Sequence, residues 1–400
     1  MRSQVQELLD GVNEGRWLLP TADEPNPVSL ARAIAGICGA PYEGDDSVAD
    51  NLRELIGEPK HLVFVIADGF GMNFVDKLDE DSFMRRNLAV DSKAVFPSST
   101  GPNLYSLGWG QWPGQHGILG WHVHLPELNQ RITPFPWIRA RDAANLTDIG
   151  ITGDVVYTGV PLLNQFTRDS LNLLPMDYSS SVASTAMHGA ESIEGHSSLT
   201  EAIDRVLKRI DDAEHPTYTH IFWPMVDSIA HRYGTSHAKT MHELQHFDSE
   251  ISRLRSSMPE DSKLVITADH GHLDYTNPGR IQIDPSDPIC SLLVDSPAGD
   301  ERAAMFHVID GKKDEFVSMF SERFSEDFLL LSSEEVLELG LLGPGGMSEL
   351  TEARLGDYLA ISKNDTGFDF RDGPPTSNFQ LKSQHGGLRP DEMRVPIVIA

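Results

Sequence analysis

The chain is poor in cysteine, in positive charge and in long apolar runs, and each shortage excludes something. Only Cys38 and Cys290 occur among 400 residues. Two such distant thiols build neither a disulfide framework nor a cysteine zinc knuckle, and a pair of reduced thiols is the expectation. Lysine and arginine number 32 against 60 aspartates and glutamates, a formal charge of −28. That field repels a phosphate backbone and anionic lipid alike, so a nucleic-acid surface and a membrane partner are excluded. A small anionic substrate remains open only where metal ions or local donors invert the field. The first residues, MRSQVQELLDGVNEGRW, lack the apolar core of a signal peptide. The longest apolar stretches, such as LVFVIA at 62–67, are strand-sized, so nothing in the sequence reads as a bilayer span. The expectation is a soluble, cytoplasmic protein, with its oligomeric state left open.

Apolar residues make up 40% of the chain, ample for a core and contrary to disorder. No internal repeat or low-complexity tract interrupts it. The first 60 residues read as helical, with LARAIAGICGA at 30–40 and VADNLRELIG at 48–57. His61–Ala67 is a continuous β-rich run of the kind buried on both faces of a parallel sheet. Further strands are predicted at Ala94–Phe96, Asp154–Thr158, Thr219–Trp223, Leu264–Thr267 and Val395–Ile399. The clearest intervening helix spans 237–257, where Met241, Leu244, Phe247, Ile251 and Leu254 form one stripe. This alternation predicts an α/β fold: a doubly wound, mostly parallel central sheet flanked by helices on both faces. Residues 276–375 interrupt it with strands at Ala303–Val308 and Phe328–Leu331 around a helix at Lys312–Phe324. They read as an inserted α+β cap subdomain, bounded by DPSDP at 284–288 and DGPP at 372–375. The expected division is thus a helical extension over 1–60 packed on the core, a core over 61–275 and 376–400, and the cap over 276–375.

Metal-ligating residue types gather at the predicted strand ends, where open α/β sheets place their sites. Asp68 ends the first strand. Asp227 follows the IFWPMVD run, and His231 stands four residues on, a spacing that presents both side chains on one helical face. Asp269 and His270 end LVITADHGH, and His385 precedes the final strand. A lone Asp at a strand end is ordinarily a helix cap, but six such residues at sheet edges outweigh that reading. Oxygen and nitrogen donors together favour zinc, with manganese and iron tolerated by the same set. The turn Phe96-Pro97-Ser98-Ser99-Thr100-Gly101-Pro102-Asn103 is rich in hydroxyls, and a hydroxyl beside a divalent cation serves as a nucleophile. His242 and His246 read as a solvated helix face, His122 and His124 as a satisfied polar pair. Glu334 and Glu335 read as helix-start charges.

Taken in order, ADGFG at 67–71, FPSSTGPN at 96–103, the Pro113–Ile118 run, VDSIAHRYG at 226–234, TADHGH at 267–272 and QHGG at 384–387 resemble the alkaline phosphatase superfamily. Within it the chain is most similar to the type I phosphodiesterase/nucleotide pyrophosphatase branch. The motifs cover about 60–275 and 380–400 and leave the N-terminal residues and the cap unmatched. The resemblance implies a hydrolase with two divalent ions. Asp227, His231 and His385 would hold one ion. Asp68, Asp269, His270 and the Thr100 oxygen would surround the other. It further implies that Thr100 is the nucleophile, that a phospho-threonine forms, and that Asn103 donates to a non-bridging oxygen of a small phosphorylated substrate. Gly101 departs from the pattern, since an aromatic often follows the nucleophile in phosphodiesterases; Phe70, Trp109 and Trp121 are the candidate replacements. Phosphomonoesterase, phosphonate hydrolase and a zinc-binding pseudoenzyme are the competing readings. A sulfatase is excluded because neither cysteine lies in a Cys-x-Pro-x-Arg sequence, and a phosphoglycerate mutase because its nucleophile is a serine in another pattern.

Overall fold

The computed structural model describes residues 3–40, 45–189, 192–276, 279–371, 373 and 380–400. Its centre is a seven-stranded sheet. In chain order the strands are β1 (His61–Ala67), β2 (Leu88–Lys93), β3 (Asp169–Pro175), β4 (Ile193–His196), β5 (Thr217–Trp223), β6 (Ser262–Thr267) and β7 (Arg394–Ile399). In space they run β2-β7-β6-β1-β5-β3-β4. The β1, β3, β4, β5 and β6 strands are mutually parallel, and β7 runs antiparallel to both β2 and β6. All seven residues of β1 and of β5 are buried, as strands covered by helices on both faces require. The doubly wound, mostly parallel sheet expected from the alternation of elements is therefore present.

Two strand expectations are corrected. Ala94–Phe96 lies beyond β2, because the chain leaves the ladder after Lys93: the Val95 N–H turns to Asn103 Oδ1 at 2.9 Å. The true strand, LAVDSK, alternates exposed and half-buried residues at the sheet edge and carries a weaker apolar signal. Asp154–Thr158 holds no strand; Gly153–Val156 is a single helical turn. Its β-branched residues have no ladder partner, and Val156 packs into the core instead. The strand β4 escaped notice for the reason β2 did, since it sits at the opposite edge with polar residues interleaved, while β3, next to it, opens on the polar run Asp169-Ser170 and carries Asn172 among its apolar residues.

Residues 298–362 build a second, four-stranded antiparallel sheet in the order Ala298–Asp300, Ala303–Phe306, Tyr358–Ser362, Phe328–Ser332. The Lys313–Phe324 helix connects its second and fourth members and buries Phe316, Phe320 and Phe324 against them. The turn expected at 372–375 lies, Gly373 apart, outside the described residues. Of the early helices, Pro27–Ile37 and Ser47–Ile56 bury their apolar faces in the main core. Gln4–Asn13 differs: its Leu8 packs with Leu329 and Leu331 of the smaller sheet. Among the described residues, no helix is long and apolar enough to cross a membrane. Cys38 is buried, and no disulfide joins it to Cys290.

The Ala238–Ser257 helix supports the β1 exit, where Phe247 packs its ring 5.3 Å from that of Phe70 and both are fully buried. Phe247→Ala is expected to cost about 3–5 kcal/mol, the range for emptying a buried phenylalanine site. Urea denaturation of the two chains measures it.

Candidate metal centre

Each motif residue arrives at one edge of the sheet because the parallel strands end there together. Asp68 follows β1, Asp227 opens the Met225–Tyr233 helix after β5, and Asp269 and His270 follow β6. The Asp227 N–H donates to the Asp68 carbonyl at 3.1 Å, tying the two strand exits to each other. Gly69, at φ +71°, makes that approach feasible: a Cβ there would stand 2.8 Å from His272 Nε2 and 3.0 Å from Asp227 Cα. Thr100 begins the Thr100–Trp109 helix, and its Oγ1 lies 3.1 Å from His270 Nε2.

Two clusters of candidate ligand atoms result. Asp68, Asp269 and His270 form one; Asp227, His270, His272 and His385 form the other, each within 4.8 Å. The His231 Nε2 reaches Asp227 Oδ1 at 3.2 Å. All seven residues expected to hold metal thus converge here. His272 joins them without having been singled out. The TADHGH run contained it, but nothing in the spacing distinguished the second histidine from a solvated loop residue.

The imidazoles are oriented by their far nitrogens. His231 Nδ1 faces the Ser383 carbonyl at 2.8 Å, His270 Nδ1 the Gly271 carbonyl at 3.0 Å, and His385 Nδ1 the Ser98 carbonyl at 3.2 Å. A carbonyl accepts only, so each Nδ1 carries a proton; for His270 and His385 that leaves the Nε2 lone pair for a cation, the usual arrangement behind metal-bound histidine, while His231 Nε2 is turned to Asp227. His272 is used differently. Its Nε2 lies 2.8 Å from Asp227 Oδ1 and its Nδ1 3.1 Å from Ser383 Oγ, so it donates to the aspartate.

The carboxylates carry an unrelieved electrostatic load. Asp68 Oδ1 and Asp269 Oδ2 are buried with no hydrogen-bond partner. Burial, then the neighbouring Asp269 and Asp227 charges, push the Asp68 carboxyl well above its ordinary range. Burial raises Asp269 as well. For Asp227 burial pulls upward, but the His231 and His272 contacts outweigh it and hold the group well below the usual value. Burial keeps His272 neutral by lowering it to about 4, and burial together with the surrounding histidines holds His385 well below its ordinary value. Lone pairs aimed inward, orphaned carboxylate oxygens and neutral imidazoles are the donor set that divalent cations fit.

Asn103 corrects an expectation. It is fully buried; its Oδ1 accepts from the Val95 N–H, while its Nδ2 faces the carbonyls of Pro97 at 3.2 Å and Ser99 at 3.0 Å. With its amide spent on the backbone of the nucleophile turn, it holds that turn and has no donor for a substrate oxygen. Among the aromatic replacements, Phe70 and Trp109 are buried in the cores. Trp121 alone of the three lines the cavity of about 950 Å³ in front of Thr100, Asp227, His231 and His385. Of the residues set aside, His242 and His246 are exposed, His124 packs its ring 4.1 Å from that of His307 at a tilt of 39°, and Glu335 completes a capping box with Ser332. His122 lines the cavity and faces Thr133 Oγ1 at 3.0 Å.

An α/β sheet whose strand ends gather carboxylates and imidazoles around a hydroxyl in the first turn of a helix carries two candidate metal sites at the edge where hydrolases of this fold class work. The particular family follows from comparison: the model for type I phosphodiesterase/nucleotide pyrophosphatase matches residues 62–286, more than half of the chain, and the chain belongs to that family. It is similar to the bis(5'-adenosyl)-triphosphatase ENPP4 of Bos taurus, 25% identical over 261 residues covering 59% of this chain and 53% of that protein. Venom phosphodiesterase 2 of Crotalus adamanteus is 23% identical over 227 residues, 54% of this chain and 27% of its own. The chain spans about half the length of the first of these and about a quarter of the second. Among solved structures, murine ectonucleotide pyrophosphatase/phosphodiesterase 5 superposes with a TM-score of 0.62 at 15% identity, covering 84% of this chain and 87% of that one. A phosphonoacetate hydrolase from Sinorhizobium meliloti 1021 in complex with phosphonoformate gives 0.61 at 16%, covering 85% and 90%. Both structures share the fold.

A cation that relieves the buried carboxylates stabilises the folded chain. Zinc at about one hundred times its dissociation constant is expected to add about 2.7 kcal/mol per site, read as a raised thermal midpoint that a chelator reverses. An unchanged midpoint would count against the centre.

Proposed function

We propose that the chain hydrolyses phosphodiester or pyrophosphate bonds of a small phosphorylated molecule through a phospho-threonine on Thr100. One observation carries the reading: Thr100 Oγ1 stands beside His270, the residue shared by the two clusters of candidate ligands. In this reading Asp227, His231 and His385 hold one ion, Asp68, Asp269, His270 and Thr100 the other, and zinc suits both sets. When bound, such ions lower the pKa of an attacking oxygen and offset phosphoryl charge. His272 keeps Asp227 in its ligating orientation.

The chain's own groups then divide the work. Thr100 Oγ1 releases its proton to solvent and forms the new bond to phosphorus while the ester or anhydride oxygen leaves on the opposite side, taking a proton from solvent where it needs one. Water enters from the side the leaving group vacated, cleaves the phospho-threonine and returns the hydroxyl. The Thr100 and Gly101 N–H groups, first in their helix and without intrahelical partners, face the developing charge on the phosphoryl oxygens. Asn103 holds the turn from beneath. The block at 276–375 acts as a cap over a core formed by 61–275 and 376–400, and selects the leaving group.

The cavity walls favour a diester over a monoester. Trp121, Tyr178 and Met225 line it, offering apolar surface to a neutral ester substituent. At the rim Arg232 and Lys239 also line the cavity, the lysine donating to Tyr233 Oη at 2.9 Å. Cations in the lining of the cavity that also holds Thr100 suit a second phosphoryl group, which supports the pyrophosphate branch of the reading.

A rate panel of bis-aryl phosphate, aryl phosphate, aryl phosphonate ester and dinucleotide with the zinc-loaded chain tests the proposal. The kcat/KM for the aryl diester is expected to exceed that of the matching monoester by about tenfold or more, roughly 1.4 kcal/mol in transition-state terms. A metal-replete chain that prefers the monoester would overturn the diesterase reading. Thr100→Ala is expected to lower turnover by about a thousandfold or more while two ions stay bound, because it removes the nucleophile and only one ligand among several. His385→Ala is expected to lose one ion selectively, measured by elemental analysis.

A further inference from the structure

The Thr100–Trp109 helix has an anomaly at its start. Its N-cap is Ser99, a residue whose hydroxyl ordinarily accepts an N–H from the first turn, yet no such capping bond forms. Position N3 is Pro102, which has no N–H, so Gly101 is the donor a capping Ser99 would take. The hydroxyl points elsewhere: Ser99 Oγ donates to Asp300 Oδ1 at 3.0 Å. The same oxygen accepts the Trp121 N–H at 3.1 Å. Asp300 belongs to the smaller sheet, at the end of its Ala298–Asp300 strand. That strand is docked on the nucleophile side by a two-way backbone bridge, His122 N–H to the Gly299 carbonyl at 3.0 Å and Gly299 N–H to the His122 carbonyl at 2.8 Å. The fit around the carboxylate is close. A Cβ on Gly120 would stand 2.7 Å from Asp300 Oδ2, and one on Gly386, beside His385, 3.0 Å from Asp300 Cβ. The second oxygen, Oδ2, is buried without a partner.

We propose that Asp300 is a positioning residue which draws the Ser99 hydroxyl off the helix end and so leaves the Gly101 N–H free, beside that of Thr100, for the phosphoryl oxygens. The inference rests on the reading of Thr100 as the nucleophile and deepens it. The physical logic is competition for one hydroxyl. A serine at this position satisfies a first-turn amide unless another acceptor holds its oxygen, and Asp300 Oδ1, fixed by the Trp121 N–H, is placed to take the Ser99 hydroxyl proton whether or not the carboxyl is ionised. The smaller sheet thereby reaches into the core site through one oxygen atom.

The test uses the full chain loaded with zinc. Asp300→Ala frees Ser99 to cap Gly101, and kcat for bis-aryl phosphate is expected to fall about 100-fold, the range for losing one oxyanion donor. The KM should stay within about threefold, and bound zinc should be unchanged. Asp300→Asn keeps an Oδ1 acceptor and should recover most of the rate. The decisive variant is Ser99→Ala on the Asp300→Ala background. Removing the hydroxyl leaves nothing to cap Gly101, so the double variant should regain about tenfold or more over Asp300→Ala. A double variant as slow as Asp300→Ala, or slower, would overturn the proposal, because a general packing role predicts no recovery. Should Asp300→Ala not fold, Asp300→Ser serves in its place, with a hydroxyl for the Trp121 N–H and too short a reach to hold Ser99. Calorimetry with inorganic phosphate reads the same donors without turnover: affinity should weaken in Asp300→Ala and return in the double variant. Phosphate binding that follows this pattern in a chain inactive on the whole rate panel would sink the hydrolase reading and leave the positioning role standing. Phosphate affinity indifferent to Asp300 would sink the positioning role alone.

Discussion

Three aspartates, Asp68, Asp227 and Asp269, are driven to one edge of the sheet by the ends of three adjacent parallel strands, β1, β5 and β6. Their mutual repulsion in a buried setting is the constraint that the surrounding structure answers. Two of them keep oxygens with no partner, and the carboxyl of Asp68 is pushed well upward by burial and by its neighbours. A low-dielectric site that concentrates negative charge is costly unless cations enter it. His270 and His385 are turned so that lone pairs, not N–H groups, face the same space, while His231 and His272 meet Asp227. The whole edge is thus organised for divalent cations, within a chain whose net charge of −28 would otherwise keep phosphoryl anions out.

The turn at 96–103 that carries Thr100 is held to that edge from three directions. Asn103 grips it from below through Val95, Pro97 and Ser99. On the side of the last strand, Ser98 Oγ donates to the Gly387 carbonyl at 2.6 Å while His385 Nδ1 donates to the Ser98 carbonyl. From the smaller sheet, Asp300 accepts from Ser99. Segments far apart in the chain therefore share the task of fixing Thr100, as preorganised sites require. The smaller sheet is itself anchored to the core by a fully buried ion pair, Arg302 with Glu392, at 2.6 Å. Arg302 Nη1 also donates to the carbonyls of Asn364 and Thr366, which occupies both of its protons. With every charge in that pair met by a partner, it is a link that a partial substitution would disrupt severely.

Much of this was legible in the linear chain. The β1 strand reads directly, since a run buried on both faces needs no polar alternation, and the stripe Leu244, Phe247, Ile251, Leu254 marks its helix unambiguously. Asp68, Asp227, His231, Asp269, His270 and His385 announce themselves as ligand types at strand ends, and Thr100 as a hydroxyl in a turn. What failed did so for definable reasons. Edge strands such as β2 and β4 face water on one side and lose the continuous apolar signal. Asn103 and His272 are of residue types whose role depends on which way the side chain points, and the backbone alone does not say.

By itself, then, the sequence determined the family, the α/β alternation and the inventory of ligands, because each rests on local pattern or on motifs in a fixed order. Tertiary structure decided which of those groups act on one another. Asn103 turns inward because three backbone groups of its own turn lie within its reach, and His272 turns to Asp227 because β5 and β6 flank β1 on either side. Asp300, 201 positions from Ser99, meets it only because the Ala298–Asp300 strand docks on His122. Contacts of that separation depend on how whole elements pack, and no window of sequence contains them.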